Sequence, residues 1–110
     1  MPMQAIYVAA GQSVPYTPTT DVAAGDVVVR GDLVGVATQP IKANTLGALA
    51  VEGVFAFAKN TGVAYSVGTV LYWDDAANVV TTTASGNKLL GKVVRDAASA
   101  DTSVQVLLRP

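Results

Sequence analysis

The stretch Leu49-Ala50-Val51-Glu52-Gly53-Val54-Phe55-Ala56-Phe57-Ala58 alternates large and small side chains. One set of alternate positions is Leu49, Val51, Gly53, Phe55 and Phe57. The other is Ala50, Glu52, Val54, Ala56 and Ala58. A period of two is that of a β-strand, whose successive side chains point to opposite faces. The spacing predicts one strand over 49–58, with the first set on the core and the second on a thin face of small residues.

Working outward, Gly and Pro recur every few residues, with Val and Thr between them, the composition of short strands joined by turns. Strands are predicted over 4–9 and 14–17, the second edge-like because Pro15 and Pro18 lack N–H donors. Next comes a turn over 22–25, a strand over 26–30, and a reversal at Arg30-Gly31-Asp32 into a strand over 33–38. Residues 40–46 hold the one candidate helical turn. After 49–58, Lys59-Asn60-Thr61-Gly62 signals a turn and 63–67 an extension of the sheet. A hairpin follows, with strands 70–73 and 79–83 around Asp74-Asp75-Ala76-Ala77-Asn78. Strands over 88–95 and 103–108 close the chain. The expectation is a single all-β domain over 1–110, with about seven to nine short strands arranged as a compact β-barrel or β-sandwich. Residues 1–20 stand apart as an extended N-terminal segment.

Composition narrows the function. The 110 residues include 19 Val, 18 Ala, 11 Thr and 10 Gly, together 58 residues that are small or β-branched. There is no Cys and no His, which removes disulfides, thiolate metal sites, cysteine nucleophiles and the commonest general base. A net charge of −1 offers no basic footprint for nucleic acid. No stretch reads as a membrane helix, and no positive region precedes the short apolar run 5–10 as a signal peptide would require. An intracellular product is expected, with no enzyme activity and no cofactor. Small side chains offset less of the entropy of folding than Leu or Phe, so burial against other subunits is expected as well.

Three motifs invite chemistry. Gly86-Asn87-Lys88-Leu89-Leu90-Gly91-Lys92-Val93 has the glycine-to-lysine spacing of a phosphate-binding loop, but Val93 stands where Ser or Thr would ligand magnesium. Such a loop must also open a helix. The Val-rich continuation favours a turn followed by a strand. Arg30-Gly31-Asp32 matches an adhesion tripeptide and reads as a hairpin turn. Asp74-Asp75 reads as a solvated loop, because the alternating acids of a calcium loop are absent. Glu52, the one Glu, is expected to be exposed or paired with a base.

Tyr72 and Trp73 are adjacent on a strand, so one ring turns inward and the other outward. An inward Trp73 is core, and an outward ring is an interface anchor. Residues 1–20 carry no charge but hold Pro2, Gln4, Tyr7, Pro15, Tyr16 and Pro18. Two readings stand: an arm that lies on a neighbour's sheet edge, or an edge strand of the same domain. Pro2, Gln4, Tyr7, Tyr16, Tyr72 and Trp73 are the candidate contact residues.

The order of features resembles a family of small proteins of tailed phages. It runs from Ala23-Ala24-Gly25-Asp26 through Gly35-Val36-Ala37, Glu52-Gly53-Val54-Phe55, Lys59 and Gly62. It continues with Gly68, Leu71-Tyr72-Trp73-Asp74, Val80-Thr81-Thr82-Thr83 and Gly91, and closes on Val104-Gln105-Val106-Leu107-Leu108. The chain is similar to capsid cement, or head decoration, proteins, whose members often carry a RecA-like recombinase label. The incomplete phosphate loop gives that label no support here. The resemblance implies a β-rich homo-oligomer, a trimer, made in the host cytoplasm and bound to the exterior of the mature virion capsid. It would sit where major capsid protein subunits meet, with no nucleic-acid or membrane partner. The rival readings are a generic β-barrel module for carbohydrate or peptide, which needs an exposed aromatic cluster around Tyr72 and Trp73, and a nucleotide-dependent recombinase.

Overall fold

A computed structural model describes Ala5 and residues 11–109. Nine strands are present among them: β1 Ser13–Tyr16, β2 Val27–Arg30, β3 Leu33–Val36, β4 Gly47–Ala50, β5 Gly53–Ala58, β6 Val70–Asp74, β7 Val79–Thr81, β8 Lys88–Val93 and β9 Ser103–Leu108. They form two antiparallel sheets, ordered β1-β4-β3-β2 and β5-β9-β8-β6-β7. Barrel and sandwich were both open from the sequence. The two sheets make a sandwich-like arrangement without a closed barrel. The strand predicted over 4–9 falls, apart from Ala5, outside the described residues.

The alternation at 49–58 holds, but its continuity does not. Leu49, Val51 and Phe57 are buried, and Glu52, Val54, Ala56 and Ala58 are exposed. The strand nevertheless breaks at Val51 and Glu52, so that β4 belongs to one sheet and β5 to the other. Gly53 has φ 136°, a conformation other residues rarely adopt, and Val51 N–H donates to Gln12 O outside the ladder. One pattern of alternating residues therefore serves two sheets.

It also serves two cores. Phe57, Leu71, Trp73, Leu90, Val93, Val104, Val106 and Leu108 on the five-stranded sheet pack with Val34 and Val36 of β3. Leu49 instead joins Ala37 and Ile41 in a small second core on the far side of the four-stranded sheet. Val27 and Val29 of β2 lean on the first core and Val28 on the second, as a period of two requires.

Other boundaries moved for local reasons. Residues 40–46 form a turn rather than a helix, with Asn44 at φ 63° and Thr45 N–H donating to Lys42 O. Residues 63–67 add only an isolated bridge between Tyr65 and Ala97, bounded by Gly62 and Gly68 at φ 91°. The strand predicted over 88–95 ends at Val93. The hairpins fall where predicted: Arg30 pairs with Leu33 across Gly31-Asp32, and Asp74 with Val79 across the acidic loop.

A bulge sets the shape of the larger sheet. In β8, Leu89 pairs with Tyr72 while Gly91 pairs with Leu71, leaving Leu90 as an extra residue. The slip re-phases the strand. Leu90 and Val93, three apart, both face the core, and Leu89 and Lys92 both face out. At Gly91 the carbonyl of Leu107 on β9 occupies the space where a Cβ would sit. Backbone cannot yield there as a flexible side chain would. Gly91→Ala is expected to destabilise the protein by about 3 kcal/mol or more in urea denaturation; a variant as stable as the wild type would show the close approach to be unimportant.

Candidate functional site

The stretch with phosphate-loop spacing is a turn followed by this bulged strand. Gly86 lies in a turn at φ 78°, and Lys88 to Val93 form β8. The backbone N–H groups of that stretch serve a β-ladder instead of converging on an anion. Lys88 Nζ is 2.9 Å from Asp32 Oδ1, and Lys92 stands on the outer face of the sheet.

Arg30-Gly31-Asp32 sits at the exposed tip of the β2–β3 hairpin, with both charges engaged. The Arg30 guanidinium lies 5.0 Å from the centroid of the Tyr16 ring, and its Nη1 donates to Pro15 O at 3.4 Å. The hydrogen bond from Lys88, together with its charge, lowers the Asp32 carboxyl below its ordinary value of 3.8. Tyr16, half-buried, is thus a platform for Arg30.

The acidic loop is built by its own carboxylates. Asp74 Oδ1 accepts from Ala76 N–H and Ala77 N–H at 3.1 Å, and Asp75 Oδ1 accepts from Trp73 Nε1–H at 3.1 Å. The two side chains hold different donors and do not converge on one point. No group of three or more His, Cys, Asp or Glu residues that could hold a metal is found among the described residues. Glu52 is exposed.

Trp73 is 4% exposed and packs 5.9 Å from Phe57, centroid to centroid. It takes the inward position, so it has little surface for a partner. Tyr72, its neighbour, is half-buried on the outer side. An aromatic platform for sugars would need both rings outside. Pro2, Gln4 and Tyr7 lie outside the described residues, and the structure does not bring Tyr16 and Tyr72 together, since they belong to different sheets.

Two features escaped sequence reading. The first is Lys59, 4% exposed, whose Nζ donates to Asp101 O at 2.7 Å, Ala98 O at 3.2 Å and Ser99 O at 3.5 Å. Its backbone N–H also donates to Thr102 O at 3.0 Å. A buried ammonium with three carbonyl acceptors has its donors matched, which burial demands. The second is surface. Between the sheets, a cleft of about 690 Å³ runs past Val27, Val36, Phe55 and Trp73. On the outer face of the five-stranded sheet, Val54, Leu89 and Val70 are 55%, 51% and 39% exposed. Exposed apolar side chains grouped on one sheet face make it a candidate interaction surface.

The described residues thus form a sandwich of small side chains with aspartate-capped turns and several exposed apolar side chains on its outer sheet face. The family comparison agrees: the model for phage cement proteins matches residues 8–108, and the chain belongs to that family. Its role is therefore of the structural, capsid-associated kind. Comparison with curated proteins gave no match, and comparison with solved structures gave none.

Two measurements check the local chemistry. In Lys59→Met, Asp101 O loses its hydrogen-bond donor, and stability is expected to fall by about 1–3 kcal/mol, with faster amide exchange in the 98–102 loop; unchanged exchange there would refute the clamp. By NMR, the Asp32 carboxyl should titrate below 3.8 and return to about that value in Lys88→Met. The sign follows: the Asp32–Lys88 contact is present above the ordinary carboxylate range and is lost as pH falls through the lowered value. Equal midpoints in the two proteins would show the contact to be absent in solution.

Proposed function

We propose that this chain binds the exterior of the mature phage capsid as a homo-oligomer and stabilises contacts between major capsid protein subunits. The observation that carries the reading is the cement-family match across residues 8–108. The all-β fold and the exposed apolar sheet face support it. The trimer implied by the resemblance is the working oligomer, and the chain reaches the shell from the host cytoplasm, where the particle assembles. Pro2, Gln4, Tyr7, Tyr16 and Tyr72 are carried forward as contact residues. Trp73, 4% exposed and packed against Phe57 in the core, is not carried into that set.

The mechanism is binding linkage. A protein that prefers the assembled shell stabilises it by mass action. An oligomer that touches several shell subunits gains further, because each later contact forms at high effective concentration. Nothing in this role asks for a reactive group. A net charge of −1 limits repulsion between many copies crowded on one shell.

Added to capsids stripped of it, the purified protein should co-sediment with them and raise the temperature at which they release DNA. It should sediment alone as an oligomer. Failure to bind, or an unchanged release temperature at saturating protein, would overturn the reading.

A further inference from the structure

Arg30 joins strands that the sheet order keeps apart. β1 and β2 are the two edges of the four-stranded sheet, with β4 and β3 between them. Yet the guanidinium at the end of β2 lies 5.0 Å from the Tyr16 ring centroid on β1, and its Nη1 donates to Pro15 O at 3.4 Å. The sheet therefore curls until its edges meet. The second core fills the curl: Val14 and Tyr16 of β1 and Val28 of β2 pack on Ala37, Ile41 and Leu49. Asp32, two positions past Arg30, ties the same hairpin tip to Lys88 of β8 in the larger sheet.

The ladder through the middle of this sheet is thin, and β1 is held by little else. β3 and β4 share one paired position, Val36 with Ala50. Among the described residues β1 pairs with β4 alone, from Ser13 to Tyr16. Val51 N–H donates to Gln12 O, so the antiparallel alternation turns the N–H groups of Val14 and Tyr16 toward β4 and the backbone of Pro15 toward the open edge. Pro15 has no N–H to offer there, and its carbonyl is the one that Arg30 takes. No residue of β1 belongs to the main core. Release of β1 disturbs the small core and leaves the large one whole, which is the condition for local opening below the cost of global unfolding.

We infer that β1 is a strap and Arg30 its latch. The strap lifts from β4 as a unit while the five-stranded sheet stays folded, and the cation over Tyr16 with its hydrogen bond to Pro15 sets how often it lifts. In the open state Val14 and Tyr16 leave Leu49, and the edge of β4 is bare for pairing with another strand. The strap does not depend on the capsid reading above.

Native-state amide exchange of the full chain tests it. In the wild type the Val14 and Tyr16 amides, corrected for intrinsic rates, should exchange at least about tenfold faster than the Val104 and Val106 amides of β9. Arg30→Ala should speed the β1 amides about three- to tenfold further and leave those of β9 within about twofold. In a Tyr16→Leu background the same substitution should have a smaller effect, because the ring it acts through is gone. Arg30→Gln, which keeps most of the aliphatic stem without the charge, decides the matter if the alanine variant does not fold. Equal exchange in β1 and β9 of the wild type would overturn the strap, since both would then open only by global unfolding. Rates in β1 that Arg30→Ala leaves unmoved, or moves together with those of β9, would overturn the latch. An undiminished effect in the Tyr16→Leu background would overturn its assignment to the ring.

Discussion

The close approach of the Leu107 carbonyl to Gly91 is the constraint on which the larger sheet depends. β8 must pair with β9 on one side and β6 on the other, and both must deliver large side chains to one core. A strand of strict period two would send Lys92 inward and Val93 outward from Leu90 onward. The extra residue at the bulge inverts that phase, so Val93 is buried and Lys92 solvated. Bulges also add local twist, and here β7 comes near β5 at the opposite edge of the sheet order, while Phe57 of β5 packs against Trp73 of β6. The extra residue Leu90 thus sets the phase, and the bare Gly91 lets β9 approach closely enough to complete the core.

Several elements were legible because their cause is local. Ser103–Leu108 alternates without interruption and is one strand. Gly31 and Asn78 mark turns because their positive φ suits those residue types. The break after Val51 was hidden, since the alternation runs through it unchanged; only the division into two sheets shows that Leu49 and Phe57 serve different cores. Residues 63–67 look like a strand by composition, but Gly62 and Gly68 leave room for a single bridge. Lys59 was unreadable for another reason: its acceptors are backbone carbonyls some forty positions away, and carbonyls carry no sequence signal.

The candidate surface was legible only in part. Tyr72 stands on the outer side as strand alternation allows, and Trp73 fills the core. The outer sheet face was obscured by the motif that crosses it. Read as a phosphate loop, Gly86 to Lys92 draws attention to a lysine and a glycine for the wrong chemistry. In the fold the same glycine admits the Leu107 carbonyl of β9 and the same lysine stands on the outer face.

Lys59 has a consequence for the conditions this protein tolerates. Many extracellular loops are cinched by a calcium ion ringed with carbonyl and carboxylate oxygens. Here an ammonium on a covalent tether takes the central place among the carbonyls of Ala98, Ser99 and Asp101. A tethered cation cannot be diluted away, exchanged for another ion or stripped by a chelator. The loop that closes this end of the sandwich therefore keeps its shape without drawing on the divalent cations of its surroundings.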